Sequence, residues 1–183
     1  MLRRVLVGSV LAALIVGYAS SQSYSQSYGT SIEQAPGWGP VVLDAYAARV
    51  IRPGETWTIF LRAQDPDGNM KSIAAVLWQA GVGYYPGEVT MLKAEEARDF
   101  AGYLYLQTPA DLTLSGDELE LTLVIRDDHN RSQLVRLPFT FDMSARQVIP
   151  AGWQESPNHR LAALLFHVES SQHYNRGGNG GPP

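Results

Sequence analysis

Cysteine is absent from the chain, which excludes disulfides, thiolate nucleophiles, zinc–thiolate sites and a lipid-modified N-terminal cysteine. The core must hold together by burial alone. Charge is sparse as well: 17% of the 183 residues are charged, and the formal net charge is −4. Arg3 and Arg4 sit in a segment open to removal; without them, 12 basic residues face 18 acidic ones, giving −6. An acidic body without a basic stripe argues against nucleic acid as a partner. No Gly-x-Ser-x-Gly elbow, His-Glu-x-x-His helix or glycine-rich phosphate loop occurs. The histidines are His129, His159, His167 and His173, and the spacing of the last three does not stack them on one helical face. An enzyme would need a site assembled from distant loops.

What is present is ordinary globular chemistry, with 45% hydrophobic residues, framed by unusual ends. Met1-Leu2-Arg3-Arg4 is a short positive region, followed by the uncharged residues 5–19, with Gly17 and Ala19 spaced for cleavage after Ala19. A helix over that run rises only about 23 Å against a hydrocarbon core of roughly 30 Å. The segment 1–19 reads either as a cleaved signal peptide or as an uncleaved membrane anchor. The anchor reading draws on the uncharged residues behind it, since no charge falls between Arg4 and Glu33. In both readings the body is exported, to a periplasmic or cell-surface location. Residues 20–40 form a low-complexity linker, with Ser-Gln-Ser-Tyr twice in succession and Pro36-Gly37-Trp38-Gly39-Pro40 at its end.

The chain's longest regular pattern is a hairpin over 118–142. Its first arm places Leu119, Leu121, Leu123 and Ile125 on one face, with the period of two of a half-buried strand. Asp127-Asp128-His129-Asn130-Arg131-Ser132 is a turn-forming break. The second arm places Val135, Leu137, Phe139 and Phe141 on one face. Two such arms need a facing sheet. Upstream, strands are expected at 41–51 (interrupted near 45–48), 56–63, 72–79, 88–93 and 100–107. Trp57, Ile59, Leu61 and Ala63 share a face, and Leu104 and Leu106 oppose Tyr103 and Tyr105. The stretch 72–79 is apolar on both faces and predicts a strand covered on both sides.

This strand order, with Asp65-Pro66-Asp67-Gly68-Asn69 after the second strand and Arg126-Asp127-Asp128-His129-Asn130-Arg131-Ser132 between the last two, resembles immunoglobulin-like domains of extracytoplasmic proteins. Fibronectin type III and cadherin-like modules share such patterns. The resemblance covers residues 40–143 and implies an all-β, seven-stranded antiparallel sandwich over 41–143. The cysteine pair and core tryptophan arrangement of antibody domains are absent. Beyond the sandwich, 144–174 is read as a connector and a short helix, starting at Ser156-Pro157 and carrying Leu161, Leu164, Leu165 and Val168 as one apolar stripe. That stripe either docks on the sandwich or binds a partner. Residues 175–183 read as a disordered tail.

The inferred topology gathers the loops 64–71, 94–99 and 127–132 at one end, bringing together Asp65, Asp67, Asn69, Glu95, Glu96, Asp99, Asp127 and Asp128. Asp65, Asp67, Asn69, Asp127 and Asp128 are the candidate ligands of a calcium ion, because calcium takes six to eight oxygens, at about 2.3–2.6 Å. The competing reading is turn-forming aspartates, neutralised by Lys93, Arg98, Arg126 and Arg131. The opposite end carries Tyr84 and Tyr85 on a glycine-rich loop, either a contact tip or rings folded back over the edge. The expectation is a non-catalytic, exported interaction or accessory structural module with a protein partner, in a membrane-associated or envelope assembly, with no cofactor required. The alternatives are a calcium-stabilised adhesion or carbohydrate-binding module, and an enzyme with an unrecognised loop site.

Overall fold

The computed structural model describes residues 31–33, 39–110, 114–149 and 160–169. The expected signal or anchor segment, most of the linker, the helix start at Ser156-Pro157 and the C-terminal tail lie outside them. Among the described residues no helix is long and apolar enough to cross a membrane.

In chain order the strands are β1 (Ser31–Glu33), β2 (Val41–Ala47), β3 (Val50–Ile51), β4 (Thr56–Gln64), β5 (Met70–Gln79) and β6 (Gly83–Tyr84), then β7 (Glu88–Met91), β8 (Asp99–Gln107), β9 (Glu118–Asp127), β10 (Ser132–Phe141) and β11 (Arg160–Leu164). A 3-10 turn, Ala94–Glu96, precedes β8. Two facing sheets result. The seven-stranded sheet runs β10-β9-β5, with β1 and β3 sharing the outer edge of β10, and β6 and β7 sharing that of β5. The four-stranded sheet runs β11-β8-β4-β2. The chain is therefore all-β, as expected, and the expected faces are the buried ones. Trp57, Ile59, Leu61, Leu104, Leu106, Leu121, Leu123, Ile125 and Val135 are fully buried. Each contributes about 1.5–3 kcal/mol by leaving water.

Three expectations are corrected. Among the described residues there are 11 strands, not seven, and two pairings, β3 with β10 and β11 with β8, are parallel, not antiparallel. The expected first strand is two strands: β2 belongs to the four-stranded sheet and β3 to the other. Trp57 Nε1 donates to Ala48 O at 2.8 Å where the chain crosses between them. The second correction concerns the C-terminal helix, which is the strand β11. Leu161, Leu164, Leu165 and Val168 fit a helical stripe, but Leu164, Phe166 and Val168 also fit a period of two. Burial follows the latter: those three enter the core while Leu165 is 80% exposed. Leu161 packs against the core only in part. A parallel edge on β8 supplies hydrogen bonds that a lone helical turn would have to make for itself.

The third correction is the outer face of β5. Ile73, Ala75 and Leu77 are buried, whereas Ala74 and Val76 are half-buried and Trp78 is 37% exposed. The described residues thus cover one face of this apolar strand. Both sides of the sandwich are closed by side chains that reach backbone. Gln133, buried on β10, accepts the Val42 N–H of β2, and Glu88 on β7 accepts the Leu165 N–H at 2.8 Å.

Candidate functional site

Three loops meet at one end, as the sequence predicts. Asp65 N–H donates to Arg98 O, Met70 N–H to Ala97 O and Asp128 N–H to Asn69 O. Asp127, 1% exposed, closes the β9–β10 hairpin. Its Oδ1 accepts the N–H groups of His129 and Arg131, at 2.9 and 2.8 Å, and Arg131 Nε donates to its Oδ2. Asn130 takes φ 62°, the one described non-glycine residue in the left-handed region, a conformation asparagine tolerates better than most. Arg131 reaches on to Asp67, with Nη2 2.8 Å from Oδ2. The guanidinium therefore ties the hairpin to the β4–β5 turn. Hydrogen bonds to Asp67 and Asp127 hold its pKa above the ordinary arginine value.

The β4–β5 turn is built on Asp65, whose Oδ1 accepts the Asp67 N–H at 2.9 Å and whose carbonyl accepts the Gly68 N–H at 3.0 Å. Gly68 has φ +71°, and Arg98 Nη2 lies 3.0 Å from where its Cβ would stand. Arg98 Nη1 donates to Pro66 O at 2.8 Å. Asn69 Nδ2 donates to Asp128 Oδ1 at 2.5 Å, with His129 Nδ1 2.9 Å away. Of the five residues expected to bind calcium, Asp67 and Asp127 already hold Arg131. Asp65, Asn69 and Asp128 surround the turn. Glu95 and Glu96 serve the 3-10 turn instead: Glu96 Oε2 accepts the Lys93 N–H and Glu95 pairs with Lys93 at 3.9 Å. Asp127, Asp128 and His129 place one ligand atom each within 4.8 Å of one another, although Asp127 spends both oxygens on the hairpin. The sequence places Arg131 among the cations that neutralise this end, but not its pairing with Asp67, 64 residues away.

At the opposite end the two tyrosines part company. Tyr84 is 78% exposed, directly opposite Trp78 in register. Tyr85 folds back, its ring edge-on to Phe166 at 6.5 Å. Its hydroxyl donates to Gln79 Oε1 and accepts the Glu169 N–H at 3.2 Å. Gln79, fully buried, donates to Asp117 Oδ2 and Glu169 O, at 2.9 and 2.8 Å. This network clasps the chain beyond β11, and Gln79 is a part of it the sequence did not single out. Burial, with Glu169 and Asp117 nearby, raises the Tyr85 pKa above the ordinary tyrosine value. A raised pKa means the folded state prefers the neutral phenol. Its contribution is complete below about pH 10 and is lost as pH climbs through the folded pKa. Tyr85→Phe is expected to lower stability by about 1–2 kcal/mol, to speed hydrogen exchange at residues 164–169, and to flatten the alkaline loss. Amide exchange and melts between neutral and alkaline pH check all three.

Two facing sheets, a first strand that changes sheet and a hairpin at the centre define an immunoglobulin-like β-sandwich. No protein-family model matches the chain, and none of the curated proteins matches it. Among solved structures it is similar to a CARDB domain from Pyrococcus furiosus, crystallised in complex with di-metal ions. That likeness has a TM-score of 0.36 and 10% identity, over 57% of this chain and 90% of that one. The chain's own strand order and burial carry the fold.

Proposed function

We propose that the chain is a non-catalytic, exported interaction module, an accessory subunit held near a membrane by the residues ahead of β1 and offering one sheet face to a protein partner. The observation that carries this reading is the outer face of the seven-stranded sheet. Register places Val89, Ala74, Val124 and Leu134 side by side across β7, β5, β9 and β10. Tyr84 and Trp78 form a second pair on the same face. Val89 and Met91 are 65% and 59% exposed, on a strand at the sheet edge. Val89, Met91, Trp78 and Tyr84 are exposed apolar groups on this face, exposed apolar patches mark contact sites, and aromatic residues with methionine are what protein contacts enrich. The N-terminal arginines and the uncharged segment behind them support export, and the linker supports a tether.

The test is native mass measurement after extraction of the full chain in mild detergent. The expected result is an assembly heavier than one chain. Val89→Lys with Met91→Lys should return it to a monomer while stability shifts by only about 0.5 kcal/mol, the usual range for surface changes. A wild-type chain that travels as a clean monomer would sink the reading.

A further inference from the structure

We infer that the β4–β5 turn binds one calcium ion through Asp65 Oδ2 and Asn69 Oδ1. Among the described residues these are the two side-chain oxygens that are buried and accept no hydrogen bond. Both belong to one five-residue turn, and Asp65 as a whole is 1% exposed. A buried carboxylate oxygen without a donor costs several kcal/mol, which a bound cation would offset.

The local donors are turned elsewhere. Arg131 is held by Asp67 and Asp127, Arg98 Nη1 donates to Pro66 O, the Asp67 N–H goes to the other oxygen of Asp65, and none of these groups bonds Asp65 Oδ2. Asn69 cannot turn its amide round to help. Its Nδ2 lies 2.5 Å from Asp128 Oδ1, and a flipped amide would press two oxygens together there. Charge points the same way: the carboxylates of Asp65, Asp67, Asp127 and Asp128 set against the guanidiniums of Arg98 and Arg131 leave −2 while His129, 2.6 Å from Asp128, is neutral. One divalent ion balances that. An all-oxygen set of carboxylate and amide groups is the chemistry of a hard cation. Magnesium requires a near-regular octahedron, whereas calcium accepts irregular ligands and completes its shell with water. Arg131 then orients the acids that border the ion, and does not replace it. This site uses turn side chains that the proposed partner face does not, and its test reads metal binding where the other reads mass, so the two readings stand or fall separately.

The experiment is thermal unfolding and calorimetric titration of the full chain in mild detergent. It is run first with chelator, then with calcium or magnesium at about 10 mM, which saturates even a weak extracellular-type site. The expected result is a midpoint raised by roughly 3–10 °C with calcium, a much smaller rise with magnesium, and one calcium per chain. Asp65→Asn should abolish the calcium response. Should that variant fail to fold, Asn69→Ala carries the same comparison and should weaken calcium at least tenfold. An unchanged wild-type midpoint with no binding heat overturns the inference, the two oxygens then being met by water. An equal response to magnesium that survives both substitutions overturns it too, as general charge screening.

Discussion

Leu123→Asp is expected to leave the chain without a cooperative melt. Leu123 is fully buried at the middle of β9. Its register partners are Ala75 on β5 and Val135 on β10, both buried. A carboxylate there would face the inner side of the four-stranded sheet, an apolar layer containing Ile59, Leu61 and Leu104. An unpaired charge in such a layer costs far more than a hydrogen bond, and the whole domain is worth only about 5–15 kcal/mol. Val124→Asp, one residue along and on the opposite, half-buried face, is the matched control and should still fold. Circular dichroism through a thermal ramp separates the two. A Leu123→Asp chain melting near the wild-type temperature would refute the face assignment of β9.

Trp57→Ala is expected to cost about 3–5 kcal/mol, a fall of roughly 10–20 °C in midpoint. The indole is fully buried and lies with its centroid 4.0 Å from that of Phe139, on the facing sheet. It does two things at once. The ring fills the space between the sheets, and its N–H holds Ala48 O, where the chain leaves one sheet for the other. Trp57→Phe keeps much of the first role and forfeits the second, so it should cost only about 1–2 kcal/mol. Equal losses for both substitutions would show that the crossover, not the ring volume, sets the penalty. Urea unfolding of the three proteins decides this.

The strands legible in the sequence are those with one wet face. Leu119, Leu121, Leu123 and Ile125 alternate with Glu118, Glu120, Thr122 and a single apolar residue, Val124, and the period of two is a property of the extended backbone itself. Where that contrast fades, so does legibility. β5 is apolar on both faces, so its pattern could not tell a covered strand from one with an open apolar side. Residues 160–169 satisfy a helical and an extended spacing equally, and only the edge of β8 decides between them. The acidic end was legible as a meeting of loops, because turn residues mark where strands reverse. Its wiring was not. Which carboxylate takes Arg131, and which is left over, depends on the approach of segments about 60 residues apart, and local pattern carries no record of that.

The placement of β1 bears on how the chain is made. Ser31 pairs with Arg136, so the first described strand finds its neighbour more than 100 residues later in the chain. Contacts this distant make folding slow, on the order of milliseconds to seconds. Vectorial synthesis or threading from the N-terminus leaves the seven-stranded sheet incomplete until β10 emerges, and the four-stranded one until β11 follows, a window in which strands can pair with the wrong chain. The last hairpin acts as the latch of assembly. Truncation before residue 141 should yield aggregating fragments with no smaller folded core.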